Sequence, residues 1–222
     1  MTTIGILGTG RMGVRLARLF AANGSRVVLG SRTPERAKAI ATSLDAGRVR
    51  GGSYAEAAGA DVVLPALFLR DGLLDQLEPL RARLDGKLYV DIANPFNADY
   101  TDFILPWDTS AAEEIQRCFP RTRVVGAFKN VWWEVLDAPR FDGGLASDVY
   151  VVGDDADAKR EVLALVQGLP FRFVDGGRLA NARIVERMTL FSGELGQREG
   201  FFPRMNWRLL GEVRRPAEGA AA

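Results

Sequence analysis

The sequence contains no histidine and only one cysteine, and each scarcity excludes a kind of chemistry. Without histidine, the commonest zinc ligand and the commonest general base are both missing. Cys118 by itself builds neither an internal disulfide nor a cysteine-rich metal site. No apolar run approaches the roughly 20 residues that a membrane-spanning helix requires. The sequence therefore predicts neither a metal centre nor a membrane-spanning helix.

Excess charge of one sign is also absent. The 29 basic and 28 acidic residues are well mixed and leave a net charge of +1, which argues against nucleic acid or an acidic membrane as a partner. The chain passes directly into an apolar strand, without the basic and apolar regions of a signal peptide, so we expect a cytoplasmic location. With 222 residues, 47% of them hydrophobic, we expect one domain over residues 1–215 and a disordered tail over 216–222.

The most informative segment is glycine-rich and follows the first apolar strand, Ile4–Leu7. The pattern G-x-G-x-x-G there opens a helix and is followed by a second strand, which is the context of a dinucleotide-binding fingerprint. Gly8 permits the tight turn, Gly10 lets the backbone approach a pyrophosphate, and Gly13 lets helix and strand pack closely. The alternative is a glycine-rich turn without a ligand. The predicted cofactor contacts here are Gly8, Thr9, Gly10, Arg11, Met12 and Gly13.

The end of the second strand indicates which dinucleotide is bound. An NAD site usually has a carboxylate there to hold the ribose 2′-hydroxyl. This chain has Ser31 and Arg32, with Arg36 one helical turn further on. A hydroxyl and guanidinium groups can bond a 2′-phosphate, so NADP(H) is favoured over NAD(H). The alternative is that both arginines are ordinary solvated surface residues.

Strands and helices alternate along the chain, which is typical of an α/β fold with a Rossmann-type, doubly wound and mainly parallel sheet. We predict a dinucleotide-binding core over about 1–135 and a strand–helix–strand–helix extension over about 146–215. Predicted strands lie at 4–7, 26–29, 61–64, 87–91, 123–127, 149–152 and 171–174. One predicted helix begins at Arg11, and the others cover 35–44, 54–58, 72–84, 110–119, 155–167 and 178–195. Ligands of such sheets bind beyond the carboxyl ends of the strands.

Several segments at those strand ends carry a family resemblance. They are Gly-Ser-Arg at 30–32, Asp-Ile-Ala-Asn-Pro at 91–95, Gly-Ala-Phe-Lys-Asn-Val at 126–131, Val-Gly-Asp-Asp at 152–155 and Val-Asp-Gly-Gly-Arg-Leu-Ala-Asn-Ala-Arg at 174–183, followed by Glu186. In this order, over nearly the whole chain, they resemble the NADPH-dependent reductases of the deazaflavin coenzyme F420. Relatives of those reductases include the cytoplasmic domain of the STEAP metalloreductases.

The resemblance implies a cofactor position and a reaction. NADPH lies along the first half of the sheet, with its nicotinamide near the Asn-Pro loop and the Ala-Phe-x-Asn loop, and a deazaflavin or flavin ring stacks against it. A homodimer is also implied, and the broad apolar set on the helix 178–195 places that helix near the interface. The further cofactor contacts implied are Ala66, Ala93, Asn94, Pro95 and Ala127. The implied substrate pocket contains Leu67, Phe96, Lys129, Trp132 and Trp133.

Departures from the family pattern leave the substrate open. Lys129 stands where relatives often carry histidine or asparagine, and Trp132 with Trp133 replaces small residues. The tryptophans either reshape the pocket or pack in the core or a dimer interface. Lys129 and the motif residue Asn130 are the candidate catalytic residues. A partly desolvated Lys129 beside aromatic rings would have a lowered pKa and could act as an acid; otherwise it binds an anionic ring oxygen or a phosphate, or lies at the surface.

Three functions therefore follow as hypotheses. The first is hydride transfer between NADP(H) and a deazaflavin or flavin cofactor, in which the protein supplies mainly orientation and electrostatics. The second is NADPH-dependent reduction of a small imine, carbonyl or enone in a biosynthetic pathway. The third is NADPH binding without turnover.

Overall fold

The computed structural model describes residues 2–44 and 47–212, so the predicted tail at 216–222 lies outside the described residues. A first unit alternates strands and helices. Its elements are β1 (Thr3–Leu7), α1 (Arg11–Ala22), β2 (Arg26–Ser31), α2 (Pro34–Thr42), β3 (Val49–Ser53), α3 (Tyr54–Ala57), β4 (Val62–Pro65), α4 (Leu73–Leu77), α5 (Arg81–Leu84), β5 (Leu88–Asp91), α6 (Ala111–Cys118) and β6 (Arg123–Gly126).

The six strands of this unit form one parallel sheet in the order β3-β2-β1-β4-β5-β6. The order reverses between β1 and β4, which is the switch point where such sheets bind ligands. Leu7 at the end of β1 is level with Gly30 in β2 and Pro65 in β4, so the loops that follow these strands open side by side. The predicted Rossmann-type sheet is confirmed.

The remaining elements are α7 (Trp133–Asp137), β7 (Asp148–Val151), α8 (Ala156–Leu165), β8 (Arg172–Asp175) and α9 (Ala182–Arg198). Strands β7 and β8 form a small parallel sheet joined by α8. Two backbone hydrogen bonds between Gly126 and Val152, of 2.8 and 2.9 Å, attach this sheet to the end of β6. The predicted strand–helix–strand–helix extension is therefore present, and α9 returns to the first unit.

Three elements differ from the prediction. Strand β3 was not predicted, because its Gly51-Gly52 pair is typical of a turn. A Cβ on Gly51 would lie 2.2 Å from the Ala37 carbonyl carbon, so the glycine permits the close approach of α2. The predicted helix over 72–84 is broken between α4 and α5 by a 3-10 turn at Glu78–Leu80, since Pro79 lacks an N–H. The short helix α7 was not predicted at all.

Candidate active site

The glycine-rich turn between β1 and α1 is shaped by two of its glycines. Gly8 has φ +120° and donates its N–H to the carbonyl of Gly30 over 3.0 Å, which joins the turn to β2. A Cβ on Gly13 would lie 2.1 Å from the carbonyl oxygen of Gly8, so any side chain there would push α1 away from the turn. The predicted packing role of Gly13 and turn role of Gly8 match this geometry.

Gly10 differs from its two neighbours because the space beside it is open. A Cβ on Gly10 would meet no described atom within 4 Å, and Gly10 caps α1 without a side-chain hydrogen bond from the described residues. Helix α1 has 12 residues and begins at Arg11 with no acidic residue in its first turn. Its N-terminal N–H groups and positive dipole end therefore face a space that a pyrophosphate fits.

A cavity of about 650 Å³ opens next to this turn, at the carboxyl ends of β1, β4, β5 and β6. Ten predicted site residues line it: Gly10, Arg11, Met12, Ala66, Leu67, Ala93, Asn94, Phe96, Trp132 and Trp133. No sequence pattern marked the other lining residues as site residues; they are Phe68, Ile92, Asp99, Tyr100, Phe128, Val131, Thr189, Gly193, Gln197 and Phe202. The wall is largely apolar, as is usual for a small-molecule binding site.

Aromatic rings form one wall of the cavity. The Trp132 ring lies 5.7 Å from Trp133 and 5.0 Å from Phe202, and Phe96 lies 5.8 Å from Trp132. The Trp132 Nε1 donates to Ser192 Oγ over 3.0 Å, and the Arg11 guanidinium lies 4.7 Å from the Trp133 ring centre. The two tryptophans therefore pack against each other and also line the cavity, so both sequence interpretations describe part of their role.

The loop after β5 is held over the cavity by Arg70. Its guanidinium lies between the rings of Phe68 and Tyr100, at 4.1 and 4.5 Å, and donates to the carbonyl of Asn97 over 2.9 Å. A second bond of 2.8 Å reaches the Tyr100 hydroxyl. These contacts fix the position of the loop at the cavity mouth. No local sequence pattern indicates them, because Arg70 is 30 residues from Tyr100.

Asn94 presents a buried acceptor at the cavity wall. Its Nδ2 donates to the main-chain carbonyl of Lys129 over 2.8 Å. Its Oδ1 is buried and accepts no hydrogen bond from the residues that the structure describes. A buried acceptor without a partner is costly, and the N–H of a carboxamide such as that of nicotinamide would satisfy it. The open space at Gly10 and this acceptor together show that the residues present fit a nicotinamide dinucleotide.

Lys129 lies behind the wall rather than in it. Its side chain is 0% exposed, and its Nζ lies 2.5 Å from Asp91 Oδ2 and 2.8 Å from Glu186 Oε1. Burial by itself lowers the pKa of Lys129, but the attraction of the two carboxylates outweighs burial and raises that pKa above its ordinary value. The predicted lysine with a lowered pKa in the substrate pocket is wrong, and so is the alternative of a surface lysine.

Asn130, Pro95 and Ala127 are buried and also lie behind the cavity lining. The Asn130 Nδ2 donates to the carbonyl of Asp148 over 2.7 Å, and its Oδ1 accepts from the N–H of Tyr150 over 3.3 Å. Asn130 therefore joins the loop after β6 to β7, and the structure does not bring it to the cavity.

The predicted 2′-phosphate contacts lie apart from the cavity, at the end of β2. Ser31 is buried and its Oγ accepts the N–H of Thr33 over 3.1 Å. Arg32 and Arg36 are exposed, and neither forms an ion pair with a carboxylate of the described residues. Because β2 adjoins β1, these side chains lie on the far side of the glycine-rich turn from the aromatic wall. This separation suits the two ends of one extended dinucleotide.

The described residues contain neither a cluster of metal ligands nor a membrane-spanning helix. Within 2–44 and 47–212, there is no group of three or more histidine, cysteine, aspartate or glutamate residues that could hold a metal ion. In the same ranges, no helix is long and apolar enough to cross a membrane.

The parallel sheet, the glycine-rich turn and the apolar cavity at its switch point define a dinucleotide-binding protein of the Rossmann class.

Comparisons with known proteins identify the group within this class. Residues 3–95 match the family described as NADP oxidoreductase, coenzyme F420-dependent. The F420-dependent NADP reductase of Methanocaldococcus jannaschii is 32% identical over 196 residues, which cover 82% of this chain and 86% of the relative. The metalloreductase STEAP3 of Rattus norvegicus is 33% identical over 84% of this chain but only 36% of its own length.

A solved structure agrees with these matches. The crystal structure of a candidate F420-dependent NADP reductase from Arthrobacter sp. FB24 superposes with a TM-score of 0.80 at 28% identity and covers 95% of this chain and 100% of that one. The chain belongs to the family of coenzyme F420-dependent NADP oxidoreductases. It is accordingly an NADP-dependent oxidoreductase, as the resemblance implied.

Proposed function

We propose that this protein transfers a hydride between NADP(H) and the deazaflavin coenzyme F420. The observation that supports it most is the aromatic-walled cavity of about 650 Å³, which is continuous with the glycine-rich turn through Gly10, Arg11 and Met12. The relatives from Methanocaldococcus jannaschii and Methanothermobacter marburgensis, whose names specify this reaction, match more than four-fifths of the chain.

NADPH, when bound, supplies a hydride from its nicotinamide ring. The N-terminus of α1 would hold the pyrophosphate, Arg32 the 2′-phosphate and Asn94 the carboxamide. The flat surfaces of Trp132 and Trp133 would orient a second ring, and the apolar wall would keep water out of the space between the two rings. Transfer between two delocalised rings needs orientation more than an acid, which suits a wall whose ionisable side chains are Arg11, Asp99 and Tyr100.

The alternative of a small imine or carbonyl substrate has less support. Reduction of such a substrate requires a proton donor, and Lys129, the donor that the sequence suggested, is enclosed between two carboxylates behind the wall. No other observation in the described residues favours this alternative over a deazaflavin.

A direct assay separates these substrates. We expect the purified protein, mixed with NADPH and oxidised F420, to lose the absorbance of both, at a rate at least about tenfold above that with FMN or riboflavin, because binding orients the reacting rings. The matched control is NADH in place of NADPH. Oxidation of NADPH by a cyclic imine or an enone, with none by F420, would overturn the proposal in favour of the small-substrate function.

We also propose that the protein is a homodimer that pairs through the outer face of α9. That helix exposes Ile184 (63%) and Phe191 (51%), and beside it Trp107 is 80% exposed under the guanidinium of Arg187, 4.0 Å away. Apolar side chains this exposed on one face are typical of an interaction surface. We expect light scattering at micromolar concentration to give twice the chain mass of 24.2 kDa.

Substitutions on that face should dissociate the dimer. Ile184→Glu combined with Phe191→Glu should return the mass to 24.2 kDa, because two buried carboxylates would oppose association. Leu145→Glu, at a side chain that is 46% exposed in the loop before β7, should leave the mass unchanged. A monomer before any substitution would contradict the homodimer.

A further inference from the structure

Lys129, Asp91 and Glu186 form a buried charged cluster directly behind the cavity, here called the buried triad. All three side chains are 0% exposed. The ammonium group of Lys129 contacts both carboxylates and donates a hydrogen bond to the main-chain carbonyl of Ala93. Burying charges is expensive, and removing one partner from such a cluster is more expensive still. The proposed hydride transfer does not by itself account for a buried charged cluster that costs this much folding free energy.

The buried triad joins four parts of the fold. Asp91 ends β5 and accepts the N–H of Ala93 over 2.9 Å. Glu186 lies on α9 and accepts the N–H groups of Ala111 and Ala112, at 3.1 and 3.4 Å, at the start of α6. Lys129 belongs to the loop after β6. Its ammonium group therefore sets the distance between the two loops that line the cavity and the helix that covers them.

Two cavity residues hydrogen bond to the main chain of Lys129. Its carbonyl accepts from Asn94 Nδ2 over 2.8 Å and from Thr189 Oγ1 over 2.6 Å. Lys129 thus bonds Ala93 through its side chain and the next residue, Asn94, through its backbone. The preceding residue, Phe128, has φ +55°, a left-handed conformation that a bulky side chain adopts only when its surroundings enforce it. The two bonds to the loop after β5 and the ion pairs to β5 and α9 supply that enforcement.

We propose that Lys129 is a positioning residue, whose buried ammonium group fixes the Asn94 amide so that Oδ1 is presented to the nicotinamide carboxamide. With Nδ2 committed to the Lys129 carbonyl, Oδ1 is the atom left without a described partner at the cavity wall. The inference rests on the proposed binding of NADP(H) with its nicotinamide beside Asn94, but it does not depend on which compound receives the hydride. Lys129 is fully buried behind the cavity wall and therefore acts through Asn94 without touching cofactor or substrate.

The test uses a variant that keeps the net charge of the buried triad. Lys129→Met combined with Asp91→Asn removes one cation and one carboxylate, and the asparagine Oδ1 can still accept the Ala93 N–H. We expect the dissociation constant for NADPH to rise about tenfold, as for the loss of one hydrogen bond to a buried group. Binding of 2′,5′-ADP, which lacks the nicotinamide half, should be unchanged. Lys159→Met, which removes a lysine paired with Asp175 away from the cavity, is the control and should change neither.

A double-mutant cycle shows whether Lys129 acts through Asn94. Asn94→Ala should weaken NADPH binding by a similar factor, and adding it to the Lys129 and Asp91 substitutions should produce little further loss. Losses that multiply, or an equal loss of 2′,5′-ADP, would overturn the proposal and indicate a general structural role. Unchanged NADPH binding in the folded variant would overturn it as well.

Two further measurements complete the test. If the methionine variant is unfolded at the assay temperature, Lys129→Gln with Asp91→Asn supplies a neutral amide in the same place. The binding of NADPH and of 2′,5′-ADP is then measured on that variant. In the unsubstituted protein, the pH profile of turnover should show no inflection from Lys129 near neutrality, because its pKa is raised by the carboxylates. Both binding measurements use NADPH and 2′,5′-ADP alone, so a failure to reduce F420 leaves their result interpretable.

Discussion

Gly10→Val should raise the dissociation constant for NADPH by about a hundredfold or more and leave the protein folded, because the new side chain occupies the space for the pyrophosphate. The structure separates these two effects. A Cβ on Gly10 meets no described atom within 4 Å, so the fold tolerates it, whereas a Cβ on Gly13 would lie 2.1 Å from the Gly8 carbonyl oxygen. Gly13→Ala should therefore lower the thermal midpoint as well as binding. Fluorescence titration and thermal melting measure the two quantities.

The control for Gly10→Val is Gly211→Val. Gly211 also has open space around its Cβ and an ordinary φ, but it lies outside the glycine-rich turn. NADH binding should fall with NADPH binding in Gly10→Val, because both dinucleotides carry the same pyrophosphate. Tight NADPH binding by a folded Gly10→Val protein would exclude the turn as the pyrophosphate site.

Arg32→Ala should reduce the preference for the phosphorylated dinucleotide by about tenfold or more. A charge-assisted hydrogen bond between Arg32 and the 2′-phosphate contributes about 1.5–3 kcal/mol, which corresponds to a loss of NADPH affinity of about tenfold to a hundredfold. NADH lacks this phosphate, so its affinity should hardly change. Arg32 is exposed and pairs with no carboxylate of the described residues, and its substitution should therefore not destabilise the fold.

Arg26→Ala is the matched control for Arg32→Ala. Arg26 is an exposed arginine at the opposite end of the same strand, β2, and should affect neither dinucleotide. Raising the ionic strength should reduce the NADPH preference of the unsubstituted protein, since an exposed ion pair is screened by salt. Equal losses of NADPH and NADH in Arg32→Ala would contradict the 2′-phosphate assignment.

Local patterns in the sequence were enough to predict the parallel sheet and the glycine-rich turn beside the cavity. Glycine spacing between an apolar strand and a helix predicts the turn at Gly8–Gly13, because Gly8 and Gly13 each occupy a position where a side chain would clash with nearby backbone. Alternation of apolar runs and helical periodicity predicts a mainly parallel sheet. The missed strand β3 shows the limit of such patterns, since Gly51 serves a close approach to α2 that no neighbouring residue reveals.

The back of the site depends on contacts between distant parts of the chain. Glu186 is 57 residues from Lys129, and no local pattern indicates that they pair. A lysine near tryptophans in the sequence suggested a partly desolvated acid in the substrate pocket, but the fold places it between two carboxylates behind the cavity wall instead. The cavity residues Thr189, Gly193 and Gln197 come from α9, whose broad apolar set indicated an interface and not a second wall of the site.

Hydride transfer between NADPH and a deazaflavin is tested most directly with deuterium. The purified protein is mixed with oxidised F420 and NADPH carrying deuterium at nicotinamide carbon 4, in separate samples labelled on each face. A deazaflavin receives the hydride at carbon, so the label should appear in the reduced F420 from one of the two samples and be retained in ordinary water. No reduction of F420, or reduced F420 that carries solvent hydrogen from both samples, would contradict direct transfer in this cavity.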